Sequence, residues 1–373
     1  MPIELSIVMP CLNEAETIAN CIRKAQHFMS NNNIEGEVVI GDNGSTDGSQ
    51  EIATELGARV INVTRKGYGN ASRGAIDAAK GHYVITADTD DSHDLENLEP
   101  FIEKLRAGYD LVMGNRFKGE RQENAMPFLH RYLGNPVLTF IGNLFFKTNV
   151  GDFHCGLRGF TKDAYNAMQL KTTGMEFASE IVVKASLLKL KITEVPTTVF
   201  PAGRTRKPHL RTFPDGWRHL RFLLLYSPKW LFLFPGILVM LLSMMATLNI
   251  MFFQDEPVLK WLPLTSVLFL ISFQFVVFYA LTKIYATNHD LIPKTKSYNN
   301  LFKYFTLERG LLVGFILTIV GAVLSYKGFT ANNGMVDNLK LIIPATISVA
   351  LGIQLMLFSF FFSILGLTDD TNV

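Results

Sequence analysis

Cysteine is scarce in this chain. Cys11, Cys21 and Cys155 are the only three among 373 residues, and all lie in the amino-terminal half, so reduced thiols are expected rather than a disulfide framework. No His/Cys spacing of the zinc-binding kind occurs. Gly67-Tyr68-Gly69 lacks the third glycine of a dinucleotide fingerprint, and no glycine-rich turn ends in Gly-Lys-Ser or Gly-Lys-Thr, which excludes a Rossmann or P-loop site. Met1–Pro10 has no basic start and reads as a first strand rather than a secretory signal. No internal repeat or low-complexity segment is present. Charge is also thin: 18% of residues are charged against 48% hydrophobic, with a net charge of +2 and a mean hydropathy of +0.21.

That shortage of charge is concentrated near the carboxyl end. Leu231–Phe253, Leu262–Thr282, Leu311–Tyr326 and Leu341–Leu365 carry no charged residue. A spanning helix needs about 20 apolar residues, so the first, second and fourth qualify as they stand. The third reaches that length if its helix begins near Phe305. Arg204, Arg206, Lys207, Arg211, Arg218, Arg221 and Lys229 precede the first span, and Lys283, Lys294, Lys296, Lys303 and Arg309 fall between the second and third. The remaining loops hold only Lys260, Lys327 and Lys340. By the positive-inside rule, a multi-pass cell-membrane protein with both termini and its amino-terminal domain in the cytoplasm is expected.

The first half alternates. Strands are expected at 3–10, 37–40, 59–63, 82–87 and 110–113, and helices at 13–30, 50–56, 70–80 and 95–106. That order predicts an α/β, doubly wound, mainly parallel sheet covered on both faces. The expected domains are 1–200, a basic juxtamembrane segment 201–230, and a transmembrane domain of four helices over 231–366. Pro127–Lys147 breaks the alternation. It is too polar to span and apolar enough to lie in the headgroup plane as one or two helices.

Three turns and an acidic pair gather at the carboxyl edge of this sheet, where ligands bind in open α/β folds. Pro10-Cys11-Leu12-Asn13-Glu14 follows the first strand and Asp42-Asn43-Gly44-Ser45-Thr46-Asp47-Gly48 the second. Asp42 can accept from a nucleobase or ribose, or cap the next helix. Lys66-Gly67-Tyr68-Gly69-Asn70 places a cation and flexible backbone at a helix start, a setting that favours phosphate. Asp88 and Asp90 end the fourth strand at i, i+2, one face of a pleated strand. Two carboxylates there suit Mg²⁺ or Mn²⁺ held together with substrate phosphates. The set describes a nucleoside-diphosphate site with a metal.

These motifs, PCLNE, GDNGSTDG, KGYGNASRG and ADTDD, resemble the inverting family-2 glycosyltransferases of the GT-A fold. Over residues 3–230 the chain is similar, more narrowly, to polyprenyl-phosphate hexose synthases of the dolichyl-phosphate mannose and undecaprenyl-phosphate glucose type. The resemblance implies metal-dependent transfer of one hexose from a UDP- or GDP-sugar to a polyprenyl phosphate at the cytoplasmic face. It assigns Asp88 and Asp90 to the metal and Asn13, Glu14 and Asp42, with Pro10, to the nucleotide turns. Arg116 and Arg131 match arginines facing the acceptor phosphate, and Asp152 matches the acidic residue proposed as base. Relatives carry a glutamine where this chain has Ser92, so Asp91 or Ser92 takes its place at the metal. His154-Cys155 also replaces the commoner residues after Asp-Phe.

A lipid phosphate, with its second pKa near ~6, is already a nucleophilic dianion at cytosolic pH. Asp152 is therefore expected to orient the acceptor or the arginines at least as much as it takes a proton, while Lys66 assists the departing diphosphate. Arg204 and Arg206 lie in GRTRKPHLR, whose position resembles a loop closing over the donor; the same charges can instead hold anionic headgroups. Glu176 and Glu180 sit one helical turn apart and can brace that loop or contact sugar. A processive polysaccharide synthase shares the donor site but usually carries QxxRW, which is absent here. A non-catalytic membrane anchor or flippase-associated protein would not need the acidic pair. The expected partners are thus a nucleotide sugar, a polyprenyl phosphate and the bilayer, without nucleic acid and with room for a homo-oligomer.

Overall fold

The computed structural model describes residues 3–366 except 121, 124, 207, 208, 254, 255, 290, 295–297, 299–304 and 333. Lys207, Lys296 and Lys303 of the basic segments thus lie outside the described residues. The chain divides into two compact units, Met1–Leu223 and Leu224–Val373.

The first unit is built on seven strands: β1 Leu5–Cys11, β2 Gly36–Asp42, β3 Arg59–Asn62, β4 Tyr83–Thr86, β5 Leu111–Asn115, β6 Arg158–Thr161 and β7 Ile192–Pro196. Their order is β3-β2-β1-β4-β6-β5-β7. Only β6 runs antiparallel to its neighbours, so the expected doubly wound, mainly parallel sheet is what forms. β1 is apolar on both faces because helices cover both; Leu5, Ile7, Val8 and Met9 are fully buried. Around the sheet lie α1 Ile18–Asn31, α2 Ser49–Glu55, α3 Tyr68–Ala78, α4 Glu99–Arg106, α5 Asn135–Phe146, α6 Lys162–Met168, α7 Phe177–Leu187 and α8 Thr212–Leu225. The main core gathers Ile18, Ile22 and Phe28 of α1 with Ile40, Ile85, Phe101 and Leu105.

Two helices start later than the sequence pattern suggests. α1 begins at Ile18 rather than Asn13, because Asn13 sits at φ 57° and is bound to the neighbouring turn. Its N–H donates to Ser45 Oγ and its Oδ1 accepts from Thr46 N–H, both at 2.8 Å. α4 begins at Glu99, where Pro100 occupies the first turn with no N–H to leave unmatched.

Pro127–Lys147 does become helical. A π-helical turn at His130–Gly134 runs into α5. Thr139, Gly142 and Phe146 are buried, while Phe128, Tyr132, Leu133 and Phe140 are more than half exposed.

Among the described residues, the second unit holds four helices long and apolar enough to cross a membrane: Lys229–Phe252, Leu262–Asn288, Leu307–Thr330 and Met335–Gly366. The second runs six residues past its uncharged stretch, so Lys283 lies inside it, buried, rather than in a loop. The last two pack closely through small residues. Cβ atoms added at Gly314 and Gly321 would fall 2.6 Å from the carbonyls of Gly352 and Ala345, the kind of backbone approach that joins helices in lipid.

Gly41 plays a comparable part in the first unit. A Cβ there would sit 2.2 Å from the Ala71 carbonyl oxygen, so its absence lets α3 lie against β2 and fixes where α3 starts. Gly41→Ala should destabilise the protein by about 1–3 kcal/mol, the usual cost of overpacking. An unchanged thermal midpoint in detergent would show that α3 yields without strain.

Candidate functional site

The carboxyl ends of β1, β2 and β4 open into a cavity of about 1060 Å³. Pro10, Glu14, Lys66, Asp88, Asp90, Arg116 and Arg204 line it. Asn13, Asp42, Arg131, Asp152 and Arg206 stand behind or beside its wall.

Asp42 is almost fully buried and folded into its own turn. Its carboxylate accepts from Gly44 N–H at 2.8 Å, Ser45 N–H at 3.1 Å and Gln50 Nε2 at 2.7 Å. The side chain that meets the cavity is the next one. Asn43 donates to the Val63 and Arg65 carbonyls and accepts from Gly67 N–H at 2.8 Å, which ties the β2 turn to the Gly-rich turn. Lys66 Nζ donates back to the Asn43 carbonyl. Cys11 also lines the cavity, but burial pushes its thiol up to about 11. It is protonated and not a nucleophile at neutral pH.

The acidic pair belongs to a loop, not to the strand. β4 ends at Thr86, and Asp88 and Asp90 converge through the turn that follows, where Asp91 takes φ 60°. Asp88 Oδ1 accepts from Tyr68 Oη at 2.9 Å, and its Oδ2 meets His93 Nε2 at 3.2 Å. Lost hydration would raise the Asp88 carboxyl. His93, Tyr68 and Arg204 together outweigh that and hold it below the usual carboxylate range. Asp90 Oδ1 accepts from Ser92 Oγ at 2.6 Å, and its Oδ2 pairs with Arg204 at 3.0 Å. Arg204 also reaches Glu14 at 2.8 Å, and Arg206 pairs with the same carboxylate. Of the two candidates for the missing glutamine, Ser92 stays at the pair, whereas Asp91 turns away to Lys24 at 2.7 Å.

Among the described residues no group of three or more His, Cys, Asp and Glu side chains gathers as a metal cage. Two hard carboxylates at the cavity wall are nevertheless a donor set that Mg²⁺ or Mn²⁺ accepts, since these ions take one or two protein oxygens and complete their shell with substrate phosphate and water. Each Asp88 oxygen accepts one hydrogen bond and keeps a lone pair. Asp90 Oδ1 accepts from both the hydroxyl and the N–H of Ser92, which leaves Oδ2, ion-paired with Arg204, as its oxygen for a metal. The residues fit the ion.

Deeper in, Arg116 and Asp152 form a two-pronged pair. Nε donates to Oδ2 at 2.6 Å and Nη2 to Oδ1 at 2.8 Å. Burial alone would raise the Asp152 carboxyl; the charge and hydrogen bonds of Arg116, with backbone N–H groups of Arg116 and His154, hold it down instead. The same carboxylate raises Arg116 above the ordinary guanidinium value despite its burial. Both Asp152 oxygens are thus committed to holding the arginine.

Arg158, which the sequence reading passed over, is 2% exposed and donates to the carbonyls of Cys155, Ala178 and Phe153. It pins the Asp152–Gly156 loop to α7. Glu180 accepts from the Lys171 and Thr172 N–H groups and braces the loop ahead of α7 rather than the basic one. Thr173, in turn, accepts from Gly69 N–H at 3.0 Å.

The far end of the cavity is apolar. Leu129, Leu133, Val137 and Leu138 face Leu210, Phe213, Trp217 and Leu220 across it. Phe213 is 79% exposed and Trp217 60%. His130 and Thr212 join the two walls at 3.1 Å. The π turn puts His130 on the cavity side and Arg131 outside, with its guanidinium over the Tyr132 ring at 5.0 Å.

Comparison with known proteins agrees with this architecture. Residues 6–168 match the family model for glycosyl transferase family 2, and residues 280–366 match the carboxyl-terminal transmembrane region of family-2 glycosyltransferases. The low-salt glycan biosynthesis hexosyltransferase Agl6 of Haloferax volcanii is 35% identical over 97% of this chain and 89% of its own length. A dolichyl-phosphate hexose transferase of the same organism is 30% identical over 52% of this chain and 81% of its own. Among solved structures, Mycobacterium tuberculosis glucosyl-3-phosphoglycerate synthase with Mn²⁺ and UDP-glucose aligns with a TM-score of 0.47 and 21% identity, over 60% of this chain and 78% of that one. The chain is a glycosyltransferase of family 2 and carries that family's transmembrane region.

Proposed function

We propose that this enzyme transfers a single hexose, with inversion, from a UDP- or GDP-hexose to a polyprenyl phosphate, undecaprenyl or dolichyl, at the cytoplasmic face of the cell membrane. The observation that carries the reading is the graded cavity. One end offers Lys66, Asn43 and the acidic pair, the other is walled by exposed leucine, phenylalanine and tryptophan, and Arg116 stands between them. A sugar nucleotide matches the first end and a prenyl chain the second. The Haloferax relatives named for hexose transfer, one of them to dolichyl phosphate, support the same reading.

The chemistry follows from the charges. An oxygen of the lipid phosphate attacks the anomeric carbon as the bond from that carbon to the diphosphate breaks, and the electron pair leaves with the nucleoside diphosphate. Asp88 and Asp90 would hold a Mg²⁺ or Mn²⁺ ion, which supplies charge stabilisation of the leaving diphosphate when bound. Lys66 adds a second cation on that side, with Pro10, Asn13, Glu14 and Asp42 shaping the nucleotide turns. Arg204 and Arg206 neutralise Glu14 and Asp90 in this structure; on arrival of the donor they turn to its diphosphate.

Arg116 offsets repulsion between the two anions, held in place by Asp152, which acts as a positioning residue. Arg131 and the exposed aromatic residues of 128–140 meet the lipid headgroups. The Lys and Arg distribution supports a cytoplasmic location for both termini and the first unit.

Membranes incubated with a panel of UDP- and GDP-hexoses and polyprenyl phosphate should yield one hexosyl-phosphoryl-polyprenol, identified by mass. Asp88→Asn or chelation by EDTA should remove the product; full turnover after chelation would refute the metal. Transfer should rise with pH through about 6, as the acceptor loses its second proton. That limb should persist in a slowed Asp152→Asn variant, whereas its disappearance would make Asp152 a base.

Stability should run the same way for a different reason. Burial lowers the His219 pKa to about 4. Between pH 6.5 and about 4 the unfolded chain therefore binds a proton that the folded chain does not. This removes roughly 3 kcal/mol by the lower limit. The thermal midpoint should fall over that window, and less so in His219→Gln.

A further inference from the structure

His154 and His219 line the cavity, and Ser179, buried behind them, joins the two in a chain of hydrogen bonds that the reaction above leaves unused. His154 Nε2 lies 3.2 Å from Ser179 Oγ, and Ser179 Oγ lies 2.9 Å from His219 Nδ1. Ser179 is fully buried and His219 is 7% exposed, and the two imidazole rings meet edge to face at 4.5 Å. Ser179 has one proton to give, so the tautomers of the two rings are coupled.

The direction follows from the buried end. His154 Nδ1 is occluded and has no hydrogen-bond partner among the described residues. An orphaned lone pair there costs less than an orphaned N–H, so the His154 proton sits on Nε2 and is donated to Ser179. Ser179 then donates to His219 Nδ1, which leaves the His219 proton on Nε2. That nitrogen has no hydrogen-bond partner among the described residues either, but unlike His154 Nδ1 it is not occluded. His219 lines the cavity, so Nε2–H opens into it. Burial and the charge of Arg158 keep the ring neutral at cytosolic pH, so the group is a fixed, uncharged donor.

Its place on α8 says what it meets. Phe213, Trp217 and Leu220 of the same helix wall the apolar end. His219 lines the cavity beside them, within reach of the polar head of a chain lying along that helix. Of the other donors lining the cavity, His130 is bonded to Thr212, and Arg116 is held by Asp152 through Nε and Nη2, which leaves Nη1 to share an anion with His219.

We infer that His219 Nε2–H is a binding group for the phosphate of the lipid acceptor, aimed by the Ser179–His154 relay and acting beside Arg116. The inference rests on the polyprenyl-phosphate reading and deepens it.

The test measures kinetics in detergent with undecaprenyl or dolichyl phosphate and the nucleotide hexose that the wild type uses. His219→Leu should raise KM for the lipid phosphate roughly 10- to 100-fold, the range of a charge-assisted hydrogen bond, with nucleoside-diphosphate affinity within twofold of wild type. His219→Gln, whose amide restores an N–H near Nε2, should recover most of the loss. Ser179→Ala, which frees the ring to change tautomer, should raise the same KM severalfold. It gives the reading should His219→Leu fail to bind nucleotide and so fail to fold. Unchanged KM for the lipid phosphate in these variants overturns the inference, as does an equal loss in nucleotide affinity with no rescue by glutamine. If the wild type uses no polyprenyl phosphate with any nucleotide hexose, the proposed function itself falls, a result distinct from either.

Discussion

The structure depends on one electrostatic constraint: several carboxylates share a cavity sheltered from water, where like charges repel strongly. Each carboxylate at the site is accordingly met by a donor or a cation. Asp152 is gripped by Arg116, Glu14 and Asp90 share Arg204, and Asp88 is held by Tyr68 and His93. Uncompensated, any of them would neutralise itself by taking a proton or would push the chain apart. The wall therefore presents near-neutral pairs, and on the proposed function their cations are lent to the donor diphosphate.

Shape follows the same logic. The polar end is made by turns at the carboxyl edge of the parallel strands, where backbone N–H groups and the start of α3 favour anions. The apolar end is made by elements that leave the sheet, the π turn with α5 on one side and α8 on the other. Buried Arg158 and Glu180 hold the loops between these ends, since each satisfies backbone groups that would otherwise be orphaned in the interior.

Much of this was legible in the chain itself. Strands β1 to β5 are short apolar runs ended by turn residues, and three of the uncharged stretches near the carboxyl end are long enough to announce spanning helices, the third of the four needing the charged turn ahead of it to reach that length. The acidic pair was visible because two aspartates follow an apolar run. What stayed hidden depends on partners distant in sequence. Asn13 looks like a helix start until Ser45 and Thr46 bind it. Asp42 looks open until Gln50 closes on it, and Arg158 looks like a surface charge until three carbonyls surround it. Arg131 and His130 are adjacent in sequence, and only the π turn decides which faces inward. The antiparallel β6 escaped notice because it follows a segment with no strand period.

The central claim is that one cavity receives the sugar nucleotide at its polar end and a lipid phosphate at its apolar end. Photo-crosslinking with a diazirine-bearing polyprenyl phosphate, read by peptide mass spectrometry, tests it most directly. The account predicts labels within 128–138 and 210–220, lost on competition with unlabelled polyprenyl phosphate and retained when nucleoside diphosphate is bound. Labels confined to the helices beyond residue 229 would contradict it.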